Sequence, residues 1–134
     1  MIAVEVGEEI PTLTQEIRRD QINAYADASG DMNPIHRDED FARSVGLPGV
    51  IAHGMLDMGI LARMVVAWAG DPRRVRKLGC RFAGMVVPGD ELVCRGRVTN
   101  VRDGVAELEI WAENQDGKRV LSKGYAEVTI SDAT

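Results

Sequence analysis

Residues 54–68 form the strongest helical pattern in this chain, and apolar side chains cover most of the helix circumference. These side chains are Met55, Leu56, Met58, Ile60, Leu61, Met64, Val65 and Trp68. A helix that is apolar nearly all round is normally buried. Asp57 and Arg63 interrupt the apolar run, so it is not predicted to span a membrane. The rest of the chain must therefore supply a surface that covers one long helix.

Most of the remaining sequence alternates between apolar and polar residues, as strands do when one face of a sheet is buried. Strands are predicted at 12–18, 74–83, 91–101, 105–113 and 119–130, with a short helix at 19–28 and helical turns at 38–44. Asp103-Gly104 and Asp116-Gly117 are tight-hairpin signals. The predicted fold class is α+β, a single domain over residues 1–134 with a curved antiparallel sheet wrapped around the long buried helix. One helix cannot cover both faces and both edges of such a sheet, so we expect a dimer.

Length and composition narrow the possible functions. A chain of 134 residues suits one domain, and its formal net charge of -5 argues against general nucleic-acid binding. Cys80 and Cys94 lie in strand patterns and form no CxxC pair, so we interpret them as small buried hydrophobes rather than zinc ligands or a disulfide. The N-terminal residues lack a basic region followed by an apolar run, which predicts no secretory signal and a cytoplasmic location.

The segment that carries chemistry is 25–38, in which Asp31 and His36 flank a rigid Asn33-Pro34 pair. A carboxylate and an imidazole held together can move a proton, and histidine titrates near neutral pH. The alternative is that Asp31 and Asn33 only satisfy backbone groups of the turn, as these residue types often do. The residues of this segment alone leave both interpretations open.

A second segment, Ala52-His53-Gly54-Met55, lies where the long helix begins. The first N–H groups of a helix have no partner within it and carry a partial positive charge. Because Gly54 has no side chain, another molecule can approach its N–H closely. Such a group can form an oxyanion hole, which stabilises negative charge on a carbonyl oxygen. The alternative is an ordinary helix start with a glycine selected for packing.

The two segments together follow a long pattern: an aromatic residue, then Gly-Asp-x-Asn-Pro-aliphatic-His-x-Asp, a small residue, and Ala-His-Gly-Met downstream. The matching residues of the first part are Tyr25, Gly30, Asp31, Asn33, Pro34, Ile35, His36, Asp38 and Ala42. This pattern resembles the MaoC-like, (R)-specific enoyl-CoA hydratase family, and the resemblance extends from about residue 7 to residue 130. Residues 68–72 and Arg81-Phe82 are most similar to actinobacterial 3-hydroxyacyl-ACP dehydratase subunits, where ACP is acyl-carrier protein.

The resemblance implies a hot-dog fold and the reversible addition of water to a trans-2-enoyl-CoA or enoyl-ACP. The reverse reaction is that of a 3-hydroxyacyl-thioester dehydratase. Asp31 and His36 would activate the water, Asn33 would fix the geometry or contact the thioester, and the Gly54 N–H would bind the thioester oxygen. This chemistry needs an acid–base pair and an oxyanion stabiliser, so no metal or other cofactor is implied. A homodimer is expected, and a heterodimer with a related hot-dog subunit is the alternative.

Some family members carry a serine on the long helix near the catalytic pair, whereas residues 54–69 here contain neither serine nor threonine. Asp57 lies on this helix, where hot-dog thioesterases often carry an acidic residue, so an acyl-CoA thioesterase is one alternative function. The other interpretation of Asp57 is a first-turn acid favoured by the helix dipole. We interpret His53 as structural, bonding the backbone near the helix start. A non-catalytic acyl-thioester-binding subunit of a heterodimer is a further alternative, against which the intact Asp31–His36 pair argues.

One basic cluster follows the long helix and consists of Arg73, Arg74, Arg76, Lys77 and Arg81. CoA phosphates, phosphopantetheine and acyl-carrier proteins are anionic, so the cluster is a candidate binding surface for the thioester carrier, and within it Arg73, Arg74, Arg76 and Lys77 are the candidate contacts. The alternative is a solvated strand face.

Overall fold

The computed structural model describes residues 3–131. Its strands are β1 (Glu9–Glu16), β2 (Val75–Phe82), β3 (Glu91–Arg102), β4 (Val105–Glu113) and β5 (Arg119–Thr129). Its helices are α1 (Arg19–Ser29), α2 (Glu39–Ser44) and α3 (Gly54–Ala69), with short 3₁₀ helices at Pro34–His36 and Pro72–Arg74. The predicted order of helices and strands is therefore confirmed.

All the strands belong to one antiparallel sheet with the order β1-β3-β4-β5-β2. The predicted hairpin signals join β3 to β4 and β4 to β5, and Asp103, Gly104 and Gly117 adopt the positive φ angles that tight hairpin turns require. β2 comes earlier in the chain but pairs with β5 at the far edge of the sheet. This arrangement confirms the predicted α+β class.

Helix α3 packs against every strand of the sheet. Its buried side chains are Asp57, Ile60, Leu61, Met64, Val65 and Ala69. They meet an inward-facing strand layer that includes Leu92, Cys94, Val98, Leu108 and Ile110. The prediction that α3 is buried all round is wrong for one face, since Met55 is 57% exposed and Met58 and Trp68 are only half-buried. A single sheet covers a single side of the helix, which leaves the opposite side to solvent.

Several predicted strand boundaries also shift by one to three residues, and the largest shift is at β1, which begins at Glu9 rather than 12. β1 ends at Glu16 rather than 18, because Ile17 leaves the ladder and exchanges backbone hydrogen bonds with the loop residues Gly89 and Asp90. β2 begins at Val75 rather than 74, because the preceding residues form the 3₁₀ helix at Pro72–Arg74.

The prediction that both cysteines are buried is confirmed for Cys94, which is fully buried, but not for Cys80, which is only half-buried. No helix within residues 3–131 is long and apolar enough to cross a membrane.

Candidate active site

A cavity of about 520 Å³ lies between the turn that follows α1 and the N-terminal end of α3. Three of the predicted site residues line it: Asp31, His36 and Gly54. The sequence pattern therefore identified both walls of one cavity, although the two segments are separate in the chain.

The turn that carries Asp31 and His36 is built by its own short side chains. Gly30 ends α1 in the left-handed conformation, with φ 77°. The Asp31 carboxylate accepts a hydrogen bond from the Asn33 N–H at 3.3 Å, and the Asn33 side-chain oxygen accepts one from the Ile35 N–H at 3.2 Å. The turn-forming interpretation thus holds for both residues. Asn33 is exposed and is not among the residues that line the cavity, which leaves it the geometric role.

His36 is buried, with 7% of its surface exposed, and its Nδ1 lies 2.7 Å from the carbonyl oxygen of Ile51. A carbonyl oxygen can only accept, so Nδ1 carries the hydrogen and donates it. In the neutral ring Nε2 is then an acceptor, which is the form that a general base needs. The backbone of Ile51 therefore selects the tautomer of His36.

His53 lies against both members of this pair. Its ring stacks on that of His36, with centroids 3.9 Å apart, and its Nε2–H donates to the backbone oxygen of Asp31 at 3.2 Å. The Tyr25 ring packs edge-on at 4.9 Å. Burial lowers the pKa of His53, which favours the neutral ring. The structural role predicted for His53 agrees with its backbone bond, but its stacking on His36 is a long-range contact for which the sequence offered no local signal.

Asp31, His36 and His53 bring one potential metal-ligating atom each to within 4.8 Å of one another. Two imidazole rings inclined by only 22° direct their in-plane lone pairs side by side rather than toward one point. His36 Nδ1 and His53 Nε2 are also already bonded to carbonyl oxygens. Metal coordination needs convergent ligands at about 2.0–2.2 Å, so this arrangement fits proton transfer better than it fits a metal.

Gly54 is the first residue of α3, and its N–H therefore has no acceptor within the helix. The residue before it, His53, makes no side-chain capping bond. A Cβ at Gly54 would lie 3.1 Å from ring carbons of Phe82, which is a tight contact. This contact is consistent with the packing interpretation of the glycine, which is compatible with a binding role for its N–H.

Asp57 also lines the cavity, one helical turn after Gly54, and only 3% of its surface is exposed. Burial raises the pKa of this carboxyl to about 7, and the negative charge of Asp90 adds to the rise. Its Oδ1 has no hydrogen-bond partner among residues 3–131. Asp57 is in the first turn of α3, but desolvation outweighs any benefit from the helix dipole, which would favour the ionised form.

Most of the basic cluster lies elsewhere in the fold. Arg73 and Arg74 precede β2, and Arg76 and Lys77 lie near its start. Phe82, which lies close to Gly54, ends that strand roughly 17 Å or more away by the usual strand rise. Arg81 is the exception, because it adjoins Phe82. Arg73 forms an ion pair with Asp71, and Lys77 forms one with Glu127. The Arg74 guanidinium donates to backbone oxygens near the chain's C-terminal end. Within one chain, none of the four candidate carrier contacts, Arg73, Arg74, Arg76 and Lys77, lines the cavity.

Comparison with known proteins decides the family. Residues 2–116 match the family model described as MaoC like domain. This chain belongs to the MaoC-like family. The resemblance inferred from the turn and helix motifs is thereby confirmed.

Similar proteins include dehydratases, an (R)-hydratase and fatty acid synthase subunits. The fatty acid synthase beta subunit TOXC of Cochliobolus carbonum is 38% identical over 109 residues, which is 79% of this chain but only 5% of that protein. A solved MaoC-like dehydratase is 34% identical with a TM-score of 0.90, covering 96% of this chain and 41% of its own. The (R)-hydratase from A. caviae involved in PHA biosynthesis is 26% identical with a TM-score of 0.87, covering 96% and 98%. The hot-dog fold is confirmed by these matches.

Proposed function

We propose that this chain catalyses the reversible addition of water to the double bond of a trans-2-enoyl thioester, giving the (R)-3-hydroxyacyl thioester. The observation that carries the proposal is that Asp31, His36 and Gly54, the first residue of α3, all line one cavity. The (R)-hydratase and dehydratase names of similar proteins support the reaction class.

The cavity wall formed by the turn that carries Asp31 and His36, which we call the turn wall, activates the water. The exposed Asp31 carboxylate accepts one hydrogen bond from the water and orients it. His36 Nε2, which Ile51 keeps free as an acceptor, takes the other proton as the water oxygen forms a bond with C3. His53 positions both groups through its stacking contact and its bond to the Asp31 carbonyl.

The cavity wall formed by the start of α3, with Gly54 and Asp57, which we call the helix wall, stabilises the negative charge that forms during the reaction. As oxygen adds at C3, the electrons of the double bond move toward C1 and negative charge develops on the thioester oxygen. The Gly54 N–H and the positive end of α3 stabilise this enolate-like oxygen. The proton taken by His36 then passes to C2, which restores both the carbonyl and the enzyme. Dehydration follows the same steps in reverse.

The test is a spectrophotometric assay of enoyl absorbance with crotonyl-CoA and longer trans-2-enoyl-CoA esters, followed by chiral analysis of the product. We expect loss of the enoyl absorbance and an (R)-3-hydroxyacyl product. Folded protein that hydrates none of the chain lengths, either as the CoA ester or as the ACP ester, would contradict the proposal, as would an (S) product.

A second candidate, acyl-CoA thioester hydrolysis, is favoured by one observation: Asp57 lines the same cavity. A carboxylate there could activate water toward C1. Burial raises the Asp57 pKa to about 7, which is compatible with a general base at neutral pH. Hydrolysis ranks below hydration because similar proteins are named as dehydratases and (R)-hydratases. Rapid release of free thiol from a saturated acyl-CoA, lost in Asp57→Asn, would reverse this order.

We also propose that the chain acts as a dimer. The sheet has two edge strands, β1 and β2, and Met55 and Phe82 are exposed beside the cavity. A second hot-dog chain could cover this side, since one sheet and one helix leave it open. Light scattering on the purified chain should give twice the monomer mass. A monomer that becomes active only with a related chain would support the heterodimer instead.

A further inference from the structure

Among residues 3–131, the buried polar side chains are His36, His53 and Asp57, and all of them line the one cavity. Proton transfer and the positioning of the catalytic pair use the two histidines. Asp57 has no role in the proposed hydration mechanism. A buried carboxyl needs an explanation, because acidic side chains are almost never fully buried unless they are paired.

Nothing within the described residues pairs with the Oδ1 of this carboxyl. Three of the side chains around the cavity, those of Met55, Phe82 and Met85, offer no strong hydrogen-bonding group. Cys80, Cys94 and Asp90 act on the Asp57 region electrostatically, and the charge of Asp90 disfavours ionised Asp57. An unpartnered buried polar atom is costly, so Asp57 weakens the fold unless a bound molecule satisfies it.

The position of Asp57 relative to Gly54 defines which part of a substrate can reach it. Residues three apart lie on neighbouring positions of one helix face, and their Cα atoms are about 4.5 Å apart along the axis. Both residues line the cavity, so a thioester whose oxygen meets the Gly54 N–H and whose acyl chain follows this face of α3 has its acyl carbons within reach of Asp57. A plain alkyl chain in this place would cover the carboxyl without bonding to it.

We propose that Asp57 is a specificity-determining residue that selects acyl chains bearing a hydroxyl group beyond the reacting double bond. A hydroxyl both donates and accepts, so it complements a carboxyl in either protonation state. The pKa of about 7 means that both states are populated near neutral pH. This inference rests on the proposed hydratase function and concerns the substrate of the same site.

The experiment compares matched substrates on matched variants. The substrates are pairs of trans-2-enoyl-CoA esters with acyl chains of roughly six to ten carbons, a size that ligand cavities accept. One member of each pair has a plain chain and the other has a terminal hydroxyl. The variants are Asp57→Leu, which has similar size without polarity, and Asp57→Asn, which keeps hydrogen bonding without charge. Gly59→Ala on the same helix is the control, because Gly59 is exposed and a Cβ there meets nothing within 4 Å.

We expect wild type and Gly59→Ala to favour the hydroxylated member of at least one pair by about ten-fold or more in kcat/KM, the scale of one good hydrogen bond. Asp57→Leu should reverse the preference by improving the plain substrate, and Asp57→Asn should retain part of it. Equal preference in wild type and Asp57→Leu would overturn the inference while leaving hydration intact. No hydration of any substrate by folded wild type would instead overturn the proposed function.

Discussion

The cavity has two aspartates on opposite walls, and their surroundings differ in almost every respect. Asp31 stands on the turn, is exposed, and accepts a backbone hydrogen bond. Asp57 stands on α3, is buried, and has a pKa of about 7 and an oxygen without a hydrogen-bond partner in the described part of the chain. Residue type alone therefore does not define a role. An exposed carboxylate such as Asp31 suits water activation, whereas a buried carboxyl such as Asp57 suits substrate selection.

The largest effect should come from the turn wall. Asp31→Asn and His36→Ala should each lower the kcat of hydration by about 10²–10⁴-fold, the usual contribution of a general acid–base group. Thermal unfolding should change little for Asp31→Asn, because its side chain is exposed. The assay is the loss of enoyl absorbance under saturating substrate.

Asp27→Asn is the matched control for this prediction, because Asp27 is an exposed aspartate on the neighbouring helix α1. It should retain wild-type activity. If the folded double variant Asp31→Asn/His36→Ala kept near wild-type activity, the turn would be a structural element and the catalytic groups would have to be sought on the helix wall.

The helix wall should give the next largest effect, on stability rather than on rate. The Asp57 carboxyl has a folded pKa of about 7 against an ordinary value of 3.8. Between these pH values the native state keeps a proton that the unfolded chain has lost, so the free energy of unfolding falls as pH rises. This loss of unfolding free energy is absent at pH values below the pKa of Asp57 in the unfolded chain. It reaches an upper bound of about 4 kcal/mol at pH values above the pKa in the folded protein. Cys80, Cys94 and Asp90 are the titratable neighbours, and the thiols stay protonated across this window because burial raises their pKa.

Asp57→Leu should therefore stabilise the protein, and the gain should grow between pH 4 and pH 8. Urea unfolding at both pH values measures this difference. Asp57→Asn serves as the control, because it removes the titrating group but keeps a polar side chain, and it should show the same pH trend with a smaller gain. A gain that is equal at both pH values would mean that Asp57 titrates normally and is solvated.

These two walls also differ in how far sequence could predict them. The turn was predictable because Gly30, Asp31, Asn33 and Pro34 build it by local backbone bonds, which a short motif encodes. The environment of Asp57 depends on which side of α3 meets the sheet, and the apolar residues around most of the helix concealed that choice. The stacking of His53 on His36 joins segments that are distant in the chain, so no local sequence pattern predicts it.

A smaller effect is expected at the start of the helix wall. Gly54→Ala places a methyl group beside the N–H that is proposed to bind the thioester oxygen, and 3.1 Å from the Phe82 ring. Phe82 is 53% exposed and can move, so the fold should tolerate the change. We expect kcat/KM to fall by about ten-fold, less than the roughly 10²–10³-fold cost of losing an oxyanion donor outright, because the N–H remains.

Gly59→Ala provides the comparison within the same helix, since a Cβ there meets no atom within 4 Å. It should leave kcat/KM unchanged and stabilise the helix by up to about 1 kcal/mol. Equal kinetics for the two alanine variants would show that close approach to residue 54 is not needed, and the oxyanion assignment would then be wrong.

The distance of Arg73 and Arg76 from the cavity, by contrast, could have been inferred from the sequence. Arg73 and Arg76 are near Phe82 in the chain, but a strand is extended, so residues at its two ends are far apart. Helical residues at the same sequence separation would be much closer. The separation of these two arginines from the cavity thus follows from secondary structure, and the sequence did predict that strand.

The smallest effect should lie outside both walls, at Arg73 and Arg76, which remain predicted contacts of an anionic carrier. Charge reversal at both should raise KM for an enoyl-ACP substrate by a few-fold and leave kcat unchanged, because binding lost equally from ground and transition states does not alter kcat. Arg74 is left intact, since its bonds to backbone oxygens hold the end of β5. Raising the salt concentration should abolish the effect, as exposed charges are screened over about 8 Å at physiological ionic strength. The matching pantetheine thioester lacks the acidic carrier and should be unaffected at any salt concentration. If both substrates lose activity equally, the change has reached the cavity through the fold; if neither does at low salt, the two walls of the cavity are sufficient for substrate capture.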